Sequence, residues 1–390
     1  MERRDFIVKS GTVLTAAAFF GMFGNSNNLF SATTNSIDKQ DNKKRPDPNA
    51  FSQPILKAIA IGINAPSPHN TQSWKFKVIN DTTMYLYVNE NILLPATDPP
   101  SRQIHMGAGC FIETLVIGAT TLGYKSNVTY FPEGYESQKD FGVKPVAKIE
   151  LLKDLESIDS LSSYINKRQT NRREYKGDLI SKQEFVTLKE IAGNSHSQLI
   201  FINENFKPYF EIFNKGFEIE SRTFRTNEET RNLFRFSEKQ RAEKGDGISI
   251  PQMGYHGIMK YLAESSLDNG NKEKWHSDKS ISLSMKNVAK GIESSKGIVI
   301  WVTEANTFED WIKSGRDYVR FSLALTKQNL YAHPYNQAIQ EYNEMKAIRD
   351  ELDKLLNIQG NQKIQMVVRI GRSSEPYLSY RRPLDTYIIK

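Results

Sequence analysis

Apolar and polar positions along the chain fall into two similar successions. Pro54–Asn64 carries apolar residues at helical spacing and Trp74–Ile79 alternates with period two. Met84–Val88 follows across an Asn80-Asp81 turn, so a helix leading into a strand pair is predicted. A long apolar helix is predicted from about Arg102 to Leu122, closed by Gly123, with strands near Asn127–Phe131 and Val146–Leu151 after it. A comparable order returns later: helices near Leu161–Lys167 and Lys182–Ile191, strands Gln198–Ile202 and Gly297–Thr303, helix Phe308–Gln328 and strand Ile364–Ile370. The two long helices end alike, Gly107 preceding Gly123-Tyr124 much as Gly315 precedes Leu330-Tyr331. This pattern divides the body into a first half at 51–155 and a second at 156–390. A charged, partly helical stretch at about 205–295 interrupts the second half. An insertion of that length in a compact domain is usually functional; it reads either as a lid, with Gly247 and Ile248 near a ligand, or as a peripheral helical decoration.

The N-terminus places Arg3-Arg4 ahead of an apolar run, Gly11–Gly24, that is short for a membrane span. With Phe6 and Lys9 following, the arginine pair resembles a twin-arginine export signal; an ordinary secretory signal or an uncleaved anchor is the alternative. Residues 1–32 are assigned to the signal. Residues 33–50, part of the Asn-, Ser-, Thr-, Asp- and Lys-rich Asn25–Asn49 region, are assigned to a disordered linker. Export by the Tat machinery to the periplasm or cell envelope is expected, with no stable membrane span after processing.

The formal charge of +7 is spread along 390 residues without a basic, aromatic-interleaved face, which argues against nucleic-acid binding. The single cysteine, Cys110, lies in an apolar helical context and reads as buried and structural. The six histidines show no ligand spacing, so no metal is expected.

Candidate chemistry concentrates in four places. Ala65–Trp74, APSPHNTQSW, is a proline-stiffened loop rich in amides and hydroxyls. Such a loop suits a planar polar ligand, although Ser67, Asn70 and Thr71 also suit plain caps and turns. In an extended RQTNRREY segment, Arg168, Thr170 and Arg172 share a face and form either a phosphate clamp or a solvated charge run. His333, in Tyr331–Gln337, is either a proton donor or a packing residue, and packing is favoured. The doublet Arg381-Arg382 precedes Pro383-Leu384-Asp385 near the C-terminus. No Ser-His-Asp order, P-loop or paired-carboxylate pattern stands out.

The first of these stretches resembles the flavin-binding loop of the nitroreductase superfamily, A-P-S-x-x-N-x-Q-P-W, through Ala65, Pro66, Ser67, Asn70, Gln72 and Trp74; Ser73 replaces the usual proline. The arginine segment resembles the family's R-x-S-x-R-x-[FY], with Thr170 for serine. Tyr331–Gln337 stands where that family packs a turn against the flavin, and departs from its Gly/Glu-rich form. The C-terminal doublet, the stretch Asp98–Gly109 and the duplication resemble the Acg-like branch. The resemblance covers most of Phe51–Lys390 outside the insertion.

What it implies is an α+β nitroreductase-like fold, a mixed or antiparallel sheet flanked by helices, its tandem halves forming a single-chain pseudo-dimer that needs no second copy. FMN would be bound by Pro66, Ser67, His69, Asn70 and Gln72 with Arg168, Thr170, Arg172, Pro334, Tyr335, Asn336, Arg381 and Arg382. No catalytic side chain is required, since the flavin carries the electrons. The implied activity moves two electrons from NAD(P)H or another donor to a small nitroaromatic- or quinone-type acceptor. A flavin-sequestering protein with a closed lid is the alternative, and an interaction module that has lost flavin is a third.

Overall fold

The computed structural model describes residues 45–155 and 157–389; the signal segment and most of the assigned linker lie outside them. The body begins earlier than Phe51. Asp47 caps a helical turn at Pro48–Ala50, and Arg45 donates to Asn64 Oδ1 at 2.8 Å.

The first half opens with helix α1 (Pro54–Gly62), started by a proline whose missing N–H is no loss at that position. Strands β1 (Trp74–Asn80) and β2 (Thr83–Val88) form the expected hairpin. Helix α2 (Arg102–Thr120) follows, then β3 (Tyr124–Tyr130) and β4 (Ala147–Lys153). The sheet order is β1-β2-β4-β3.

The second half opens with α3 (Lys182–Ala192), started by a reciprocal cap between Ser181 and Glu184, and β5 (Gln198–Ile202). The insertion supplies α4 (Lys207–Arg222), α5 (Phe224–Asn232), α6 (Glu238–Lys244), α7 (Gly257–Ser266), α8 (Lys272–Trp275) and α9 (Asp278–Glu293). Then come β6 (Gly297–Thr303), α10 (Phe308–Lys327), β7 (Tyr331–Pro334), α11 (Lys346–Leu355) and β8 (Lys363–Gly371). This sheet runs β5-β6-β8-β7, the order of the first, and every strand pair in both sheets is antiparallel rather than mixed. The insertion therefore stands where the first half has only the turn between β1 and β2. The helix expected at Leu161–Lys167 is only a tight turn, Ser162–Tyr164, because two serines and no side-chain cap give a helix little support there.

Helices α2 and α10 pack on each other at the centre, and one continuous apolar core runs through both halves. A Cβ on Gly109 would fall on the carbonyl oxygen of Ile312, and a Cβ on Gly315 on that of Met106. The two glycines are 206 positions apart and so are the two residues they meet, so the crossing is close to two-fold symmetric. The symmetric partner of Gly315 is thus Gly109, not Gly107. The carbonyl of Gly107 instead accepts from Trp74 Nε1 at 3.2 Å, and Trp74 is a buried core residue. No helix among the described residues is long and apolar enough to cross a membrane.

Candidate functional site

A cavity of about 2100 Å³ lies beside the α2–α10 crossing. Pro66–His69 forms one edge, Thr170 with Arg172 and Arg173 another, and His333–Gln337 a third. Gly107 and Cys110, on the buried turn of α2 that lines the cavity, leave room where larger side chains would fill it. Residues of α4, α5, α7 and α9 cover the space, so the insertion is part of the cavity wall and not a peripheral decoration.

The proline-rich loop is held in an unusual shape. His69, Asn70 and Gln72 have φ of 47°, 56° and 51°, left-handed values that non-glycine residues rarely adopt. Backbone strain of this kind persists where the surroundings over-determine it, and functional sites are a common place. Ser67 Oγ accepts from the Gln72 N–H at 3.1 Å. The two amide side chains face away from the cavity. Asn70 Nδ2 donates to the carbonyls of Gly247 (3.3 Å) and Tyr380 (3.2 Å). Gln72 Nε2 donates to Gly245 O at 3.0 Å, and its Oε1 accepts from Arg382 N and the Tyr387 hydroxyl. They tie the insertion to the C-terminal segment, so neither is placed to hold a ligand directly. His69 does line the cavity. Its Nδ1 is buried without a partner, and burial beside Arg172 holds its pKa down at about 4.

The arginines divide into committed and uncommitted. Arg381 spends all five N–H donors: on Ile63 O (2.7 Å), Asn64 O (3.2 Å), Ala65 O (3.0 Å), Ser379 Oγ (2.7 Å) and Tyr380 O (2.9 Å). Arg382 pairs with Asp246 and donates to Thr71 O at 2.9 Å. Neither is free for a phosphate, which corrects that expectation. Arg168 makes one long contact, to Asn64 O at 3.5 Å, and sits behind Cys110 and Tyr318. Arg172 faces the cavity. Among the described residues, Arg45, Arg168, Arg172, Arg369 and Arg381 have no carboxylate partner. Burial, with repulsion from neighbouring arginines, depresses the pKa values of Arg45, of Arg381 (to about 9, with Arg168 the neighbour) and of Arg172 (with Arg369 the neighbour), while burial alone depresses that of Arg168.

Thr170 is anchored by a parallel bridge to Ala332, which brings the arginine segment against the His333–Gln337 turn. Pro334, Tyr335 and Asn336 line the cavity; Asn336 Oδ1 accepts from Val367 N at 3.0 Å. His333 Nδ1 accepts from Arg369 Nε at 3.2 Å, and burial with Arg369 and Arg172 keeps the ring neutral. Cys110 is buried as expected but also contributes to the wall, its thiol pushed up to about 12 by burial. Tyr318, Arg173 and Arg369 were not singled out. Arg369 had a readable signal, as a lone charge within the apolar run Met366–Ile370. Its guanidinium stacks 4.0 Å from the Tyr175 ring centroid and caps α9 through Gly291 O at 2.7 Å.

No family model matches the chain. A Mycobacterium tuberculosis protein provisionally named an NAD(P)H nitroreductase is 28% identical over 126 residues, 32% of this chain and 35% of that protein. A second, provisionally named NAD(P)H nitroreductase acg, is 30% identical over 87 residues, 22% of this chain and 26% of its own length. The match thus spans about a third or less of the curated relatives' length. An FMN-dependent nitroreductase from Mycobacterium smegmatis, solved with NADPH, aligns with 58% of this chain and 96% of its own, at 12% identity and TM-score 0.34. A nitroreductase-like protein from Bacillus cereus aligns with 59% of this chain and 95% of its own, at 12% identity and TM-score 0.32. Superpositions this loose carry no weight beside the strand order. The sequence matches make the chain a relative of Acg-like, nitroreductase-type proteins.

Proposed function

We propose that the chain is an exported FMN-dependent oxidoreductase of nitroreductase type. The observation that carries the reading is the pair Arg168 and Arg172, both buried without a carboxylate partner among the described residues, Arg172 at the cavity wall and Arg168 next to the wall residues Cys110 and Tyr318. Burying positive charge without compensation is costly, and a bound polyanion relieves it. Arg168, with most of its donors uncommitted, and the Thr170 hydroxyl would hold the phosphate. Arg172, which faces the cavity beside His69, Tyr318 and Tyr335, supplies positive charge where a reduced flavin ring gathers negative charge. Pro66 and Ser67 on one side and Pro334–Asn336 on the other would orient the ring. FMN supplies two-electron chemistry when bound. The neutral rings of His69 and His333 can exchange hydrogen bonds with its polar edge without adding charge. NAD(P)H, or another donor outside the cytoplasm, would deliver the electrons, and a nitroaromatic or quinone would receive them.

The volume favours turnover. A chamber of about 2100 Å³ is roughly twice the upper end of ordinary small-molecule sites, about 1,000 Å³, and leaves space for a second molecule. Flavin sequestration remains the second reading, because the bonds from Asn70 and Gln72 hold the insertion down at Gly247 and Gly245. Anaerobic NADPH titration tests turnover: quick bleaching of the visible band supports it, and an unchanged band points to sequestration or to a different electron donor. Arg168→Ala and Arg172→Ala should each lower FMN affinity at least tenfold, as expected for losing a charged hydrogen bond of about 1.5–3 kcal/mol. A wild-type protein that is colourless and takes up no added FMN would overturn the proposal.

A further inference from the structure

One wall of the cavity carries polar groups that the flavin reading does not use. Glu220 on α4 is 5% exposed, lines the cavity and has no cationic partner among the described residues. Its Oε2 accepts from Gln340 Nε2 at 2.6 Å. That bond fixes the amide with Oε1 turned the other way, and this oxygen is buried without a partner. Gln340 is itself 5% exposed and lines the cavity. Gln337 Oε1 and Thr230 Oγ1, also in cavity-lining residues, are likewise buried and unpartnered.

The neighbours supply no compensating charge: the Tyr342 hydroxyl, which feels the Glu220 charge, is neutral. Asn227 is committed, its Oδ1 to Trp275 Nε1 at 2.8 Å and its Nδ2 to His276 at 3.3 Å. Arg225 forms a two-bond pair with Glu344, both contacts at 2.6 Å. Glu229 adds negative charge and so reinforces burial, which pushes the Glu220 carboxyl up to about 7. Glu220, Gln340, Gln337 and Thr230 thus offer a carboxylate, two amide carbonyls and a hydroxyl, with no cation paired to Glu220 among the described residues. An ammonium presents three N–H donors and one positive charge, which matches that set.

We propose that Glu220, Gln340 and Thr230 form a recognition subsite for a primary ammonium group on the small molecule bound in the cavity. The inference deepens the oxidoreductase reading and rests on it for the cavity being the substrate chamber. It assigns a substrate class: amine-bearing acceptors over their neutral analogues.

The probes are 4-nitrobenzylamine and 4-nitrobenzyl alcohol, alike in size and in the nitro group. Their binding to the purified full chain is measured by calorimetry at pH 8, where Glu220 is largely ionised. The amine should bind at least tenfold more tightly than the alcohol. Glu220→Gln should reduce that preference to less than twofold, and Gln340→Met should reduce it in part, with melting temperatures reporting that both variants fold. Equal binding of the two probes, or a preference that survives in Glu220→Gln, would overturn the proposal. Calorimetry needs no flavin and no turnover. A colourless protein that still prefers the amine would sink the redox reading and leave this subsite standing.

Discussion

The two ends of the α2–α10 pair share a backbone and differ in what fills them. Residues 206 positions apart correspond across the crossing. At one end α2 presents Gly107 and Cys110 to the cavity. At the corresponding places α10 presents Lys313 and Arg316, with Arg320 one turn on. The buried Glu113 binds Arg316 Nε at 2.6 Å and an Arg320 terminal nitrogen at 2.9 Å, closing that end with an ion-paired plug. The loops diverge as well. Eleven residues separate α1 from β1 and include the strained His69–Gln72 turn, while five separate α3 from β5. Two copies of one fold therefore carry a chamber at one end of the helix pair and an ion-paired plug at the other. The difference teaches that side-chain volume on a few helical turns, and one loop's length, decide where a ligand can go, while the fold itself does not.

The largest effect should come from making the open end resemble the closed one. A Cβ at Gly107 would meet Pro68 Cδ at 3.2 Å, so a larger side chain there presses on the Ser67-Pro68 edge of the chamber and the loop must yield to admit it. Gly107→Phe should abolish flavin retention, with thermal unfolding reporting that the variant still folds. Lys313→Ala at the other end should leave flavin stoichiometry unchanged. Flavin retained in full by Gly107→Phe would show that the ligand does not occupy the space beside α2.

The crossing itself should respond symmetrically. Gly109→Ala and Gly315→Ala each drive a methyl into a backbone carbonyl that cannot rotate away. Each should destabilise the protein by about 3 kcal/mol, the upper part of the range for overpacking. Denaturant unfolding checks this. A cost confined to one glycine would break the two-fold equivalence from which the comparison starts.

Much of the architecture was legible in the sequence. The helix expected at Arg102–Leu122 runs Arg102–Thr120, and the one expected at Phe308–Gln328 runs Phe308–Lys327. Long periodic segments specify their own structure, because the apolar residues that define the period are those the core buries. The site was legible only in part. Pro66, Ser67, His69, Thr170, Arg172 and Pro334–Asn336 line one cavity, which is all the geometry says of them. The roles given to Asn70, Gln72, Arg381 and Arg382 failed for a non-local reason. Most of their partners lie more than 130 residues away, in Gly245, Asp246, Gly247, Tyr380 and the 63–72 stretch, and no local pattern shows that a guanidinium is already spent on carbonyls. The Glu113 plug escaped notice for the same reason, since it depends on which face of α2 meets α10.

The smallest and most local test contrasts two histidines with similarly depressed pKa values and different surroundings. His105 bonds through both nitrogens, to Ser101 O at 2.7 Å and the Tyr135 hydroxyl at 2.9 Å, and is packed among Phe141, Phe308 and Trp311. His69 has a bare Nδ1 at the cavity wall. Burial lowers both from 6.5 to about 4, so both rings stay neutral in the folded protein while an unfolded chain takes up protons near 6.5. Their contribution to stability is therefore complete above pH 6.5 and is lost as pH falls towards 4, by about 3 kcal/mol for each ring. Imidazole resonances of the folded protein should show no titration of either ring between pH 8 and 5.5. Adding FMN should then shift the His69 signals and leave those of His105 in place. A His105 that moves as far as His69 would mean that ligand binding reorganises the packed interior as well as the chamber, and the separation between filled and open regions would fail.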